Sequence, residues 1–239
     1  MENQRQDSGP VIRMFGVGKR YGAKAALSEV SLEIDAGEFV FLTGPSGAGK
    51  STFLKLLYLA EPPSEGQILL AGMNLARMGR RQLPRLRRSL GVVFQDYKLI
   101  ATRNVYENVA LVLDAAGADP GYTKKKVRVV LKKVGMEDRM ASHPPALSGG
   151  EKQRVAVARA LAGDPAVVLA DEPTGSLDPV SAGIIMDLLL DFHRAGGTVI
   201  LATHDDHLLA GARRVLVLDG GRLVYDGPND LPAPKARRP

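Results

Sequence analysis

Residues 41–57 read FLTGPSGAGKSTFLKLL, and inside them Gly44-Pro45-Ser46-Gly47-Ala48-Gly49-Lys50-Ser51-Thr52 satisfies the pattern G-x-x-x-x-G-K-[ST]. A glycine-rich turn matches that pattern by chance in about one per cent of chains this long, so the flanks decide. The apolar run EFVFLTG before it reads as a strand. STFLKLLYLA after it reads as a helix, ended by Pro62-Pro63. A strand, a glycine turn and a helix make a phosphate loop. Glycines let backbone N–H groups approach phosphate oxygens, and the helix N-terminus adds positive potential. Lys50 is suited to neutralise β and γ phosphates, Ser51 to ligate Mg²⁺, and Thr52 to bond an α-phosphate oxygen.

Outward from the loop, VIRMFGV (11–17) and VSLEI (30–34) extend β structure upstream, and ILL (68–70) and LGVVF (90–94) continue it downstream. Residues 104–134 then switch to helical periodicity, with Val127, Val130, Leu131 and Val134 on one apolar face and lysines opposite. From residue 151 the order is helix, strand (AVVLA, 166–170), helix (180–194) and strand (TVILAT, 198–203). Short, continuously apolar strands separated by helices indicate a parallel sheet covered on both faces. The expected class is α/β. A parallel-sheet core is preceded by an N-terminal antiparallel β portion and interrupted by a small helical subdomain at about 96–150. One domain spans 11–230, between a disordered extension (1–10) and a basic, Pro-rich disordered tail (231–239).

The bulk numbers agree. The chain has 239 residues, 45% hydrophobic and 24% charged, which is ordinary globular usage with enough length for a sizeable core. It has no Cys, which excludes disulfides, thiolate metal sites and cysteine nucleophiles. MENQRQDSGP has no apolar signal region, and no run approaches a membrane span, so any membrane role is expected to come through a partner. The net charge of +6 is unevenly placed: Arg77, Arg80, Arg81, Arg85, Arg87 and Arg88 crowd one segment and Lys124 to Lys126 another. Such patches suit an anionic partner or a solvated face. No aromatic platform accompanies them, and nucleic acid is not expected.

Several residues carry candidate chemistry. AVVLADE ends a buried strand in Asp171 and Glu172, at the sheet edge where α/β ligands bind. Asp171 suits the metal side, and Glu172 suits the polarisation of an attacking water. Ser148-Gly149-Gly150-Glu151 fits a capping box, S-x-x-E before a helix. A cap does not need two glycines, which weaken a first turn, so bare backbone meant for a phosphate is a second reading, compatible with the first. His204 ends TVILAT and stands close to Asp205, Asp206 and His207. Without a third well-placed ligand these histidines read as a helix start instead of a metal site.

About 100 residues separate the phosphate loop from Leu147-Ser148-Gly149-Gly150-Glu151-Lys152-Gln153. The pair resembles the ATP-binding cassette (ABC) ATPases over residues 11 to 230. The resemblance implies Mg²⁺-dependent ATP hydrolysis by a homodimer formed on ATP, in which 148–151 close over ATP held on the partner's phosphate loop. It further implies that Tyr21 stacks on adenine, that Gln95 reaches Mg²⁺ and links the site to a groove for a membrane partner, and that His204 contacts the γ-phosphate. Ser176-Leu177-Asp178 matches the loop that communicates between the two sites.

LPRLRRSLGVVFQDYKLI, RNVYENVAL and LSGGEKQRVAVARAL are similar to the FtsE family of bacterial cell-division ATPases, which work with the membrane protein FtsX. That likeness implies a peripheral location on the cytoplasmic face of the inner membrane. Ala101-Thr102 and Asn104 depart from that family's pattern, which has an acidic residue before Arg103 and Thr at 104. Lipoprotein-release and macrolide-efflux ATPases resemble the chain as well.

Overall fold

A computed structural model describes residues 9–79 and 81–229. The terminal extension and basic tail expected from the sequence lie outside them, apart from Gly9 and Pro10.

β1 (Pro10–Tyr21) and β2 (Lys24–Asp35) pair antiparallel, and the other edge of β1 takes β4 (Glu65–Leu70) and then β5 (Met73–Asn74), giving a four-stranded antiparallel sheet. β3 (Phe39–Thr43) does not join it. Val40, Phe41 and Leu42 are all buried, so this strand suits the middle of a sheet covered on both faces, and it enters a second, six-stranded sheet. That sheet adds β6 (Leu90–Val93), β7 (Val167–Asp171), β8 (Thr198–Ala202), β9 (Arg214–Asp219) and β10 (Arg222–Gly227) in the order β10-β9-β3-β8-β7-β6. All its pairings are parallel except β9 with β10.

Two cores follow from the alternation of β-strand side chains. Phe41, Val168, Ala170, Val199 and Leu201 face α3 (Val105–Ala115), α4 (Pro120–Lys133), α5 (Gly149–Leu161) and α6 (Pro179–Arg194). Val40, Leu42, Val167, Leu169 and Ile200 face α1 (Lys50–Leu57) and the antiparallel sheet. Val127, Val130, Leu131 and Val134 are all buried. The short α2 (Leu83–Arg88) leads into β6, and α7 (Asp206–Leu209) follows β8.

α1 stops before the prolines that were expected to end it. Leu59 turns left-handed at φ 49°, Ala60 N–H donates to Lys55 O at 3.0 Å, and Leu59 N–H donates to Leu56 O at 3.2 Å. That is a Schellman closure with leucine in the usual glycine position.

Candidate functional site

The phosphate loop leaves the C-terminal end of β3, between the ends of β8 and β9. Gly49 caps α1 with φ 109°, and a Cβ there would stand 2.6 Å from Ala26 O, so only glycine fits this turn against β2. Lys50, the first residue of α1, is buried and donates from Nζ to Gly44 O at 2.7 Å and Pro45 O at 3.2 Å. The loop lines a cleft of about 650 Å³ with Tyr21, Lys24, Ala26, Glu172 and His204. Tyr21 ends β1, half-exposed, with the Lys19 ammonium 5.0 Å from its ring centroid.

Parallel strands deliver the acidic groups to the same edge. Asp171 ends β7, and Ser51 Oγ donates to its Oδ1 at 3.3 Å. Burial pushes the Asp171 carboxyl up; the Ser51 hydrogen bond opposes that, and the neighbouring Glu172 charge reinforces it. Glu172 holds φ 44°, a left-handed conformation costly for a side-chain-bearing residue, and its N–H donates to Ala202 O at 2.9 Å. The turn aims the carboxylate at His204, whose Nδ1 lies 2.8 Å from Glu172 Oε1. Nδ1–H donates to the carboxylate, leaving Nε2 as the ring nitrogen available to a ligand.

A hydroxyl and one carboxylate side by side are hard oxygen donors of the kind Mg²⁺ takes when phosphates complete its shell. Among the described residues no group of three His, Cys, Asp or Glu gathers as a self-sufficient metal cage. The donor set therefore fits an ion shared with a nucleotide.

The other expected residues lie outside the cleft lining. Ser148 N-caps α5 in a complete capping box: its Oγ accepts from Glu151 N–H at 3.2 Å, and Glu151 Oε2 accepts from Ser148 N–H at 2.8 Å. The bond from Ser148 N–H holds the Glu151 carboxyl below the usual range. Gly150 has a local reason to be glycine, since a Cβ there would collide with Ser181 Oγ and stand 2.9 Å from Ser181 Cβ on α6. Asp178 N-caps α6, accepting from Val180 N–H at 3.1 Å and Ser181 N–H at 3.0 Å. Gln95 is exposed after β6, and both it and Glu172 border Gly175.

Two buried polar side chains of α5 escaped the sequence reading. Gln153 donates from Nε2 to Pro173 O at 2.8 Å, tying α5 to the turn after Glu172. Arg159 donates to Lys98 O at 2.6 Å and Tyr97 O at 2.8 Å. Tyr97 and Lys98 are both left-handed, at φ 60° and 49°, so the guanidinium clamps a strained turn just beyond Gln95. Burial lowers the Arg159 pKa. A partly apolar helix interior was the only hint in the sequence, since the clamp joins residues about 60 positions apart.

The sequence profile of ABC transporters matches residues 27–175, more than half of the chain. The chain belongs to the ABC transporter family. The matched segment includes the phosphate loop, Gln95, 148–151 and Asp171-Glu172. Tyr21 and His204 lie outside it and still reach the same cleft. Among curated ABC relatives, the cell division ATP-binding protein FtsE of Mycobacterium tuberculosis is 46% identical over 219 residues, covering 90% of this chain and 95% of that protein. FtsE of Escherichia coli K12 is 46% identical over 215 residues, covering 89% and 97%. FtsE of Bacillus subtilis is 44% identical over 219 residues, covering 90% and 96%.

Two solved structures of one ABC cassette share the fold. The dimeric structure of MJ0796 is 36% identical with a TM-score of 0.84, covering 91% of this chain and 98% of that one. A dimeric post-hydrolysis state of MJ0796 bound to ADP and Pi is 35% identical with a TM-score of 0.83, with the same coverage. No described helix is long and apolar enough to cross a membrane.

Proposed function

We propose that the chain is the Mg²⁺-dependent ATPase subunit of a cell-division complex of the FtsE–FtsX type, dimerising on ATP and driving an integral membrane partner. It would act peripherally at the cytoplasmic face of the bacterial inner membrane. The observation that carries this reading is the division of the site. One chain brings the phosphate loop, Glu172 and His204 to one cleft, with Asp171 bonded to Ser51 of its wall, while Ser148, Gly149, Gly150 and Glu151 stand outside it. A second copy is the natural source of the missing face, and the solved MJ0796 relatives are dimers.

In the assembled site, Tyr21 stacks on adenine and the 44–52 loop wraps the phosphates, with Lys50 swinging from the loop carbonyls to the β and γ oxygens. Ser51, Asp171 and Gln95 would hold Mg²⁺, which would supply charge neutralisation at those oxygens. Glu172 accepts a proton-sharing hydrogen bond from the attacking water, and His204 contacts the γ-phosphate through Nε2. Ser148 to Glu151 of the partner copy close over it, with Asp178 holding the adjacent helix end. Rate enhancement rests on positioning and pre-set charge. The left-handed Glu172 turn is strain placed where that positioning is needed. We read 96–150 as the helical subdomain that presents the closing face, within a single 11–230 cassette flanked by the 1–10 extension and the 231–239 tail.

The test is phosphate release by the purified chain with and without Mg²⁺, together with its dimer population on ATP. Mg²⁺-dependent turnover and ATP-induced dimers are expected. ATP binding with zero turnover, alone and with the co-purifying membrane protein, would contradict the reading.

A further inference from the structure

Between Glu65 and Asp96 the chain has six Arg and no Lys, Asp or Glu. Five of these lie among the described residues, and Arg77, Arg81, Arg85, Arg87 and Arg88 are all exposed. None of the five makes an ion pair among the described residues.

The packing of α2 decides how they are displayed. Leu86 is buried and Leu83 half-buried, so the helix is held by its apolar side. Arg85 and Arg88, three residues apart, stand on the opposite side. Arg81 lies on the turn that leads in, closed by Gln82 N–H donating to Gly79 O at 2.9 Å. A helix C-terminus favours cations, which accounts for part of the charge in the last turn of α2. It does not account for Arg77 and Arg81, or for the missing carboxylates. Ordinary surface intersperses both signs, because like charges at helical spacing repel. The other basic stretch is built differently: on α4, Lys126 meets Asp164 at 2.6 Å, and exposed Tyr122 and Val129 interrupt the charge.

The use of Arg alone narrows the partner. A guanidinium meets a phosphate with two parallel N–H donors, whereas an ammonium acts as a point charge. Lipid and nucleic acid both offer phosphates. No aromatic residue lies between Tyr58 and Phe94 to stack on a base, and the six residues of α2 make a short reader for a duplex groove. A membrane surface asks only for exposed cations on one face.

We infer that the outer face of α2, formed by Arg81, Arg85 and Arg88 and extended by Arg77, binds the anionic phospholipid headgroups of the membrane surface directly. This rests on the peripheral location proposed above and adds a contact that needs no partner protein. So few basic residues give weak, salt-sensitive attachment, suited to orienting a subunit that is already held at the membrane.

The test is co-sedimentation of the purified full-length chain with protein-free vesicles, either phosphatidylcholine alone or phosphatidylcholine with about one-third phosphatidylglycerol. Binding is expected to the anionic vesicles alone, falling by about tenfold or more as NaCl rises from about 0.1 M to about 0.5 M. Each basic side chain near such a surface is worth about fivefold in partitioning, so Arg81→Gln/Arg85→Gln/Arg88→Gln should lower it by about a hundredfold. Lys124→Gln/Lys125→Gln/Lys132→Gln, an equal loss of charge on α4, should stay within about threefold of wild type, and Arg81→Lys/Arg85→Lys/Arg88→Lys should fall between the two. Unchanged ATP binding in all three variants shows that the fold is kept.

Equal binding to neutral vesicles, no binding to either kind, or equal losses in the α2 and α4 glutamine variants overturns the inference. So does tighter binding of the same face to duplex DNA than to anionic vesicles at equal phosphate concentration. Because the vesicles contain no protein, each of these results leaves the membrane-partner reading standing. That reading fails separately, when no integral membrane protein co-purifies with the chain.

Discussion

The phosphate loop and the 148–151 turn are both helix N-termini rich in glycine, yet the chain treats them differently. The loop before α1 is built into a concave cleft, with Glu172 and His204 just past neighbouring strand ends and Asp171, at the end of β7, bonded to Ser51 of the loop. The turn before α5 satisfies itself with a capping box and lies outside that cleft. One N-terminus opens into a concave cleft, and the other is a finished surface, which the proposed dimer would present to a second copy. The comparison also divides the glycines. Gly49 serves the loop, whereas Gly150 makes room for Ser181 on α6 within its own chain.

The strongest way to sharpen the contrast is Glu172→Gln. Loss of general-base assistance should lower hydrolysis by about 10² to 10⁴ while ATP binding persists, so the ATP-bound dimer accumulates in size-exclusion chromatography. Retained turnover would remove Glu172 from the reaction.

On the other side, Gly150→Ala should lower unfolding free energy by about 1–3 kcal/mol, because the new methyl meets Ser181. Ser181→Gly in the same chain should restore the melting temperature. If stability is unaffected by Gly150→Ala, the glycine is there for the ligand alone. Arg159→Met should cost about 2 kcal/mol and speed hydrogen exchange at 95–99, since it frees two left-handed carbonyls. Unaltered exchange there would show that the clamp is idle.

The smallest effect concerns Asp171. Burial raises its pKa in the folded state above the ordinary aspartate value, so the folded state holds the proton more tightly and stability declines as pH rises through the folded pKa. Asp171→Asn should melt higher than wild type at pH 7, with the gap closing below about pH 4, even as turnover falls. Equal melting at pH 7 would mean the carboxylate is not penalised.

Much of this was legible in the sequence, for physical reasons that also mark the limits. Doubly buried strands leave continuous apolar runs, so β3, β6, β7 and β8 and their motif-bearing ends were readable. The capping box at Ser148 is a local pattern and appeared where spacing put it. β9 and β10 carry none of the motifs, yet the alternation of RVLVLDGGRLVYDG and its Gly220-Gly221 turn do signal a hairpin. The transfer of β3 to the second sheet, the Gly150–Ser181 approach and the Arg159 clamp depend on residues brought together by the fold. No local spacing encodes them. Asn104 completes a capping box with Glu107 and so fixes the start of α3.

The central claim is that each catalytic site takes its two faces from two chains. Lys50→Ala and Gly149→Asp should each abolish turnover alone. Mixed in equal amounts and allowed to exchange, they should recover about one quarter of wild-type activity, because half of randomly paired two-fold dimers are mixed and each carries one intact composite site. Recovery at about that level is the predicted result. No recovery, with mixed dimers shown to form, would contradict the account and place the whole site within a single chain.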